Sequence, residues 1–340
     1  MASDTLASIA EKAQCSVSTV SRVLSGKAEK YRISEATVAR VRKEVEKSNY
    51  TPSLIAKGLR AGKTDTIGLL IPGVDDTFFS EIASCIIGEA RKLGYTVIVI
   101  DTQEDEKNEN EGFSTLLARK VDGIIAVPCG RETEAFARVK GAELPLVVVD
   151  RYFASGSNFS FVTTDNYKGA VMAVEHFIAN GHQDIACIQG NPEAMTCQER
   201  VRGYVDTMKA HGLEDRIRIS GSKFSIQNGY VETNLVLSGE RRPTAILALS
   251  NKILLGTVKA VSETGLSIPE DISVISFDDN LLFNYMTPRI TCIAQPVQEI
   301  SLVAVTLLMK KIAGERNVSH LFLPPGIVVR DSVKPVSAPR

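Results

Sequence analysis

The sequence predicts a chain in two parts: an N-terminal all-α helix-turn-helix head with a hinge helix behind it, and an α/β body of two doubly wound parallel-sheet subdomains. Three observations carry that expectation. Apolar residues recur at helical spacing through the first 48 residues. From Thr66 onward short apolar strands alternate with longer helical segments, the pattern of parallel strands joined by crossover helices. The formal net charge of −1 also hides an asymmetry: residues 1–63 hold 12 Lys and Arg against 6 Asp and Glu, and the remainder holds 27 against 34. A basic head on an acidic body concentrates attraction for polyanions at one end.

In the head, expected over 1–49, Leu6, Ile9, Ala10 and Ala13 mark a first helix, residues 14–16 a polar turn, and Val17 to about Leu24 a second helix. Val20, Val23 and Leu24 share one side of that second helix, which leaves Ser18, Ser21 and Arg22 on the other with Val17 at its edge. Two short helices, a tight turn and a polar outward stripe ending in Arg describe a helix-turn-helix that presents its second helix to a DNA major groove. Read alone, the stretch also suits an ordinary helical hairpin with a solvated polar face. Ser34 suits an N-cap with Glu35 behind it, and Val38, Val41 and Val45 give a third helix one apolar stripe.

The hinge, expected over 50–63, begins at a turn set by Pro52 and runs as a short helix interrupted by Gly58. An internal Gly costs about 1 kcal/mol relative to Ala, and so short a helix does not hold in water without a partner. The segment is a conditional helix. Gly58, Gly62, Lys63 and Thr64 do not make a phosphate loop, because the two glycines stand one residue too close.

In the body, expected over 64–330, residues 66–71, 96–101, 123–127, 146–150, 185–189, 245–249 and 272–277 read as buried parallel strands. Helical stretches fall between them at 79–93, 167–180, 200–211, 252–264 and 298–313. Ligands of such sheets bind at the carboxyl ends of strands, marked here by Pro72, Pro128, Asp150, Ser250 and Asp278. The acidic run 103–111 reads as a solvated helix start, and the Pro- and Ser-rich end, 331–340, as a flexible tail.

A length of 340 residues allows two or three domains, and a composition of 44% hydrophobic and 23% charged residues is that of a soluble globular protein. No apolar run is long enough to span a membrane and the first residues do not resemble a signal peptide, so a cytoplasmic protein without membrane association is expected. The six cysteines, Cys15, Cys85, Cys129, Cys187, Cys197 and Cys292, lie in apolar surroundings without a CxxC pair and read as reduced core residues. His176, His182, His211 and His320 are isolated, and no catalytic elbow, HExxH or dinucleotide fingerprint occurs. No enzyme, cofactor or metal is expected.

The segments TLASIAEKAQCSVSTVSRVLSG, NYTPSLIAKGLRAGKTDTIGLLIP and ISVISFDD, in this order, resemble the LacI/GalR family of bacterial transcription regulators, and the likeness runs from Thr5 to about Arg330. It implies a homodimer on a pseudo-palindromic operator in double-stranded DNA, most readily a repressor, with a small molecule in the body controlling the grip. It implies base contacts by Val17, Ser18 and Arg22, with Arg22 suited to a guanine and Val17 to a thymine methyl. Phosphate contacts fall to Thr5, Ser16, Thr19, Ser21 and Tyr50. In the hinge, Leu59 takes the place of the residue that wedges between central base pairs in the minor groove, with Arg60 beside it and Ala56 allowing close approach.

The body then resembles periplasmic sugar-binding proteins, with the effector held between an N-subdomain (about 64–163 and 293–325) and a C-subdomain (about 164–292 and 326–330). Phe78, Phe79, Asp150, Arg200, Phe224, Asn251 and Asp278 fall at ligand-facing positions, and their chemistry suits a sugar or sugar phosphate. Two positions depart from the family pattern. Lys252 stands where an Asp is usual and favours an anionic effector. Ala194 stands where purine-responsive members carry a second Arg, which disfavours a purine. The competing classes are a sugar sensor that does not bind DNA and a Rossmann-type enzyme.

Overall fold

The computed structural model describes residues 5–48, 63–130, 134–153 and 158–336. The chain divides into two compact units, Met1–Thr64 and Asp65–Arg340. Of the expected hinge only Lys63 lies among the described residues, so Tyr50, Ala56, Leu59 and Arg60 lie outside them.

The first unit holds three helices, α1 (Leu6–Lys12), α2 (Val17–Leu24) and α3 (Glu35–Lys47). Thr5, Ser16 and Ser34 cap them, each side chain accepting from a backbone N–H in the first turn. The turn between α1 and α2 is closed by Gln14 at φ 49° and by the Cys15 N–H donating to the Ala10 carbonyl. Ile9, Ala10, Ala13, Val20, Val23 and Val41 form the core. That is a very small core, and it leaves the polar side of α2 facing outward.

The second unit carries two six-stranded sheets. The first contains β1 (Thr66–Ile71), β2 (Thr96–Asp101), β3 (Gly123–Ala126), β4 (Leu146–Val149), β5 (Ser160–Thr164) and, from far along the chain, β11 (His320–Leu323). Its order is β11-β5-β4-β3-β1-β2 and every pairing is parallel. The helices of this half are α4 (Thr77–Lys92), α5 (Glu106–Ala118), α6 (Glu134–Gly141) and α11 (Val297–Ile312).

The second sheet contains β6 (Ile185–Ile188), β7 (Arg218–Ser220), β8 (Ala245–Ala248), β9 (Ser273–Phe277), β10 (Thr291–Ala294) and β12 (Gly326–Val328), in the order β12-β10-β9-β8-β6-β7. Only β12 runs antiparallel to its neighbour. Its helices are α7 (Asn166–Ala179), α8 (Met195–Ala210), α9 (Ile226–Leu237) and α10 (Asn251–Glu263). Each sheet therefore reverses its winding once, between β1 and β3 and between β6 and β8, the points where such sheets open a crevice.

The chain passes between the sheets three times: between β5 and α7, between β10 and α11, and between β11 and β12. Ile293 and Ala294, expected in the N-subdomain, complete β10 and pair with Ile327 and Gly326 of the second sheet, so that boundary is corrected. The C-terminal stretch is also corrected. Residues 331–336 are pinned, not flexible: the buried Ser332 hydroxyl donates to the Val274 carbonyl and accepts the Thr291 N–H. Lys334 N–H donates to Ser273 Oγ, and Val336 N–H to the Asn180 carbonyl. Composition suggested a solvated tail because Pro and Ser favour one; here Ser332 is spent on backbone groups near the starts of the interior strands β9 and β10.

Candidate functional site

The outward face of α2 carries Val17, Ser18 and Arg22, all exposed, with Val17 at 42%. Ser16, expected at phosphate, caps α2: its Oγ accepts the Thr19 N–H and lies 2.7 Å from Ser18 Oγ and 2.8 Å from Thr19 Oγ1. Thr5 caps α1 in a reciprocal pair with Ser8. Thr19 and Ser21 are half-buried beside these caps. The helix thus offers a start rich in hydroxyls and one cation near its end.

In the body, a cavity with about 500 Å³ of atom-free space, part of it open solvent, lies between the carboxyl ends of the two sheets. Each wall residue follows the end of a strand. Pro72, Gly73, Asp76, Phe78 and Phe79 follow β1, Glu104 follows β2, and Asp150 and Arg151 follow β4. From the second sheet come Thr196 and Arg200 after β6, Phe224 after β7, Ser250 and Lys252 after β8, Asp278 after β9 and Gln295 after β10. Six of the seven expected effector residues meet here. Asn251, buried, does not line the cavity; its Nδ2 donates to Thr77 Oγ1 of the opposite half.

Two of the carboxylates sit on unusual backbone. Asp150 has φ 62° and Asp278 φ 74°, left-handed values that cost a non-glycine residue on the order of 1–3 kcal/mol. At Asp150 the Arg151 N–H folds back to the Val149 carbonyl at 2.7 Å, so the strand ends in a tight turn that aims Asp150 inward. Burial pushes the Asp150 carboxyl up to about 6, with Arg200 and Arg151 pulling the other way. Burial raises Asp278 as well, eased by Arg200 and by Gln295, whose Nε2 donates to Asp278 Oδ1 at 2.6 Å. Asp76 is raised by burial and by the nearby Asp278 charge.

The cations are held in fixed poses. Arg200, buried, donates through Nε to Asn166 Oδ1 and through a terminal nitrogen to the Leu249 carbonyl, while its guanidinium lies 3.7 Å from the Phe277 ring centroid. Arg151, 5% exposed, forks both terminal nitrogens onto Glu104 at 2.6 and 2.7 Å and also reaches the Pro128 carbonyl. Burial opposes its charge, but the Glu104 carboxylate keeps it protonated. Its guanidinium stands between two rings, 5.5 Å from the Phe79 centroid and 5.7 Å from that of Phe224. Lys252 spans the cavity, with Nζ 3.1 Å from Asp75 and 3.8 Å from Asp76.

Sequence reasoning missed Arg151, Glu104, Asp76 and Gln295. The position of Arg151 directly after a strand-end Asp was a usable signal; Glu104 had none, because its partner is remote in sequence. The acidic run is a largely exposed helix start, as expected, except that Glu109 is fully buried, accepting the Cys129 N–H, while Glu104 pairs with Arg151. The six cysteines are free thiols. Among the described residues no helix is long and apolar enough to cross a membrane, and no cluster of His, Cys, Asp or Glu is placed to hold a metal.

The head and body match separate family descriptions: residues 5–53 match bacterial regulatory proteins of the lacI family, and residues 174–333 match a periplasmic binding protein-like domain. The HTH-type transcriptional repressor PurR of Vibrio vulnificus is 32% identical over 338 residues, 98% of this chain and 99% of its own length. The chain belongs to the LacI family. It is a DNA-binding transcriptional regulator under the control of a small-molecule effector. The ribose operon repressor of Haemophilus influenzae is 31% identical across 97% of this chain and 98% of its own.

Among solved structures of the LacI family, the Lac repressor dimer bound to operator and the anti-inducer ONPF superposes with a TM-score of 0.88 at 25% identity, covering 98% of this chain and 100% of that one. A LacI family regulator from Enterococcus faecium, solved with bound ribose, gives a TM-score of 0.72 at 28% identity over 80% of this chain and 100% of its own.

Proposed function

We propose that this LacI family member is a repressor that holds a pseudo-palindromic operator as a homodimer, and that a neutral sugar or sugar-like polyol in the body cavity sets its grip. The observation that carries the effector class is the pattern of hydrogen-bonding demand in the cavity. Asp150 Oδ1 is buried and meets no donor from the protein among the described residues. A buried acceptor of that kind costs about 1–3 kcal/mol unless a ligand supplies a donor, and a sugar hydroxyl is one. The Phe79 and Phe224 rings flank the same space and suit the C–H faces of a sugar ring.

Charge argues against a phosphate group. Four carboxylates and three cations line the cavity, and each cation already faces a carboxylate or carbonyl of the protein. The Lys252 ammonium, which sequence reasoning assigned to an anionic effector, is occupied by Asp75 and Asp76. Ala194 is buried and takes no part in the wall, in keeping with the reading against a purine. The ribose in the Enterococcus faecium relative and the name of the Haemophilus influenzae one both support a pentose.

On the DNA side, Arg22 reads a base edge from the exposed face of α2, Val17 and Ser18 assist it, and the hydroxyl-rich helix starts at Thr5 and Ser16 approach phosphates. The hinge residues Leu59 and Arg60 enter the minor groove, with Ala56 allowing approach and Tyr50 at the backbone. No catalytic role is assigned to the cavity. Calorimetric titration of the full chain with ribose, other pentoses and hexoses, ribose 5-phosphate and hypoxanthine tests the effector class. Binding of a neutral sugar, lost in Asp150→Ala, is expected; tight binding of only the phosphate or only the purine refutes it.

A further inference from the structure

Arg22 lies in the last turn of α2, and its guanidinium carbon stands 4.0 Å from the centroid of the Tyr31 ring. Tyr31 comes from the loop after α2, and that loop is closely tied. Lys27 N–H donates to the Arg22 carbonyl, Tyr31 N–H to that of Lys27, and Ile33 N–H to that of Ala28. Ala28 and Ile33 pack on the core of the head. Tyr31 itself is 45% exposed, so burial of its ring does not account for where the ring lies.

A guanidinium has two distinct recognition surfaces. Its flat face is attracted to an aromatic ring, and its edge carries the fork of N–H donors. Tyr31 occupies a face of Arg22, and among the described residues the edge makes no hydrogen bond or ion pair with the protein. The edge is the part that a guanine engages through O6 and N7. An Arg side chain left to itself loses rotamer freedom when it docks, and a side chain already held loses less.

We propose that Tyr31 is a positioning residue for sequence specificity: its ring holds the Arg22 guanidinium ready for a guanine before DNA arrives. The inference rests on Arg22 reading a base edge, as set out above. The ring is uncharged, so it sharpens discrimination at one base pair and does not raise the general attraction to phosphates. An exposed cation–π contact corresponds to about a two- to five-fold effect.

The test uses the full chain, an operator selected from randomised duplexes, the same duplex with the guanine facing Arg22 replaced, and a random duplex, with affinities read by fluorescence anisotropy. Tyr31→Ala is expected to lower the ratio of affinities for the selected and replaced duplexes by about two- to five-fold, leaving random-duplex binding unchanged. Tyr31→Phe should keep the ratio, and Tyr31→Ala should add nothing in an Arg22→Ala background. A ratio that falls with Arg22→Ala but not with Tyr31→Ala overturns the role of Tyr31 and leaves base reading by Arg22 standing. An Arg22→Ala protein with an unaltered ratio removes both. An equal loss on all duplexes, or a Phe variant as impaired as the Ala one, assigns Tyr31 to the backbone or to its hydroxyl and overturns the proposal.

Discussion

Asp150 enters the cavity on a left-handed backbone with its carboxyl pushed up to about 6 by burial. An unfolded Asp titrates near about 3.9, so the folded form keeps its proton longer as pH rises. Its contribution to stability is complete below about pH 4 and is lost as pH climbs through about 6. Effector binding should run the other way, because the ionised carboxylate is the better acceptor for a hydroxyl. Affinity for a neutral sugar is expected to weaken toward about tenfold per pH unit below 6, and calorimetry at pH 5, 6 and 7.5 measures it. A flat profile would count against an ionised Asp150 in the complex. Glu109 gives a cleaner stability test, since it lies outside the cavity wall with its pKa raised to about 7 by burial and Oε2 without a partner. Glu109→Gln removes the charge and can still accept the Cys129 N–H. It should raise stability at pH 8 by on the order of 3 kcal/mol, with the gain vanishing near pH 4.5 in paired melting curves.

At the scale of elements, α9 and α10 cross unusually closely through Gly229 and Gly256. A Cβ at Gly256 would fall 2.1 Å from the Ile226 carbonyl oxygen and 2.4 Å from the Tyr230 nitrogen, both backbone atoms that cannot rotate away. Gly256→Ala should therefore cost about 1–3 kcal/mol or more, seen as a lowered melting temperature. A neutral result would mean the two helices can slide apart. Phe224 is placed by the same means: its ring lies where a Cβ on Gly190 would stand, at 2.2 Å, and the loop bearing it is clipped by Gln189 and Asn228. Most helices, though not α6 or α9, and most central strands were legible because period and caps are local. The strands β5, β7, β10, β11 and β12 were not. Ser160, Thr163 and Thr164 bury polar groups that look solvated in sequence, and β11 exposes Leu321 and Phe322, so neither strand shows the expected pattern.

At the scale of the whole body, the two halves are tied across the cavity by the start of α4. Lys252 reaches Asp75 and Asp76, while Asn251 and Asn280 both donate to Thr77 Oγ1. These contacts come from a part-exposed ion pair and two neutral hydrogen bonds, so they hold the halves together without making closure permanent. Lys252→Ala is expected to speed amide exchange at residues 75–79 in the absence of effector and to weaken sugar binding several-fold. Unchanged exchange there would show that the ammonium merely covers the carboxylates.

The sequence by itself determined that a basic helical head precedes a doubly wound body, where most helices begin, and which residue types end the strands, because periodicity, capping and charge balance act over a few neighbours. Only the tertiary structure decided which of those strand ends face one another. The Arg151–Glu104 fork, the Lys252 bridge, the Thr164–Gln295–Asp278 chain and the docking of residues 331–336 all join positions far apart in sequence. Such contacts exist once strand order and the three crossings are set, and side chains brought together in that way leave no local pattern to read.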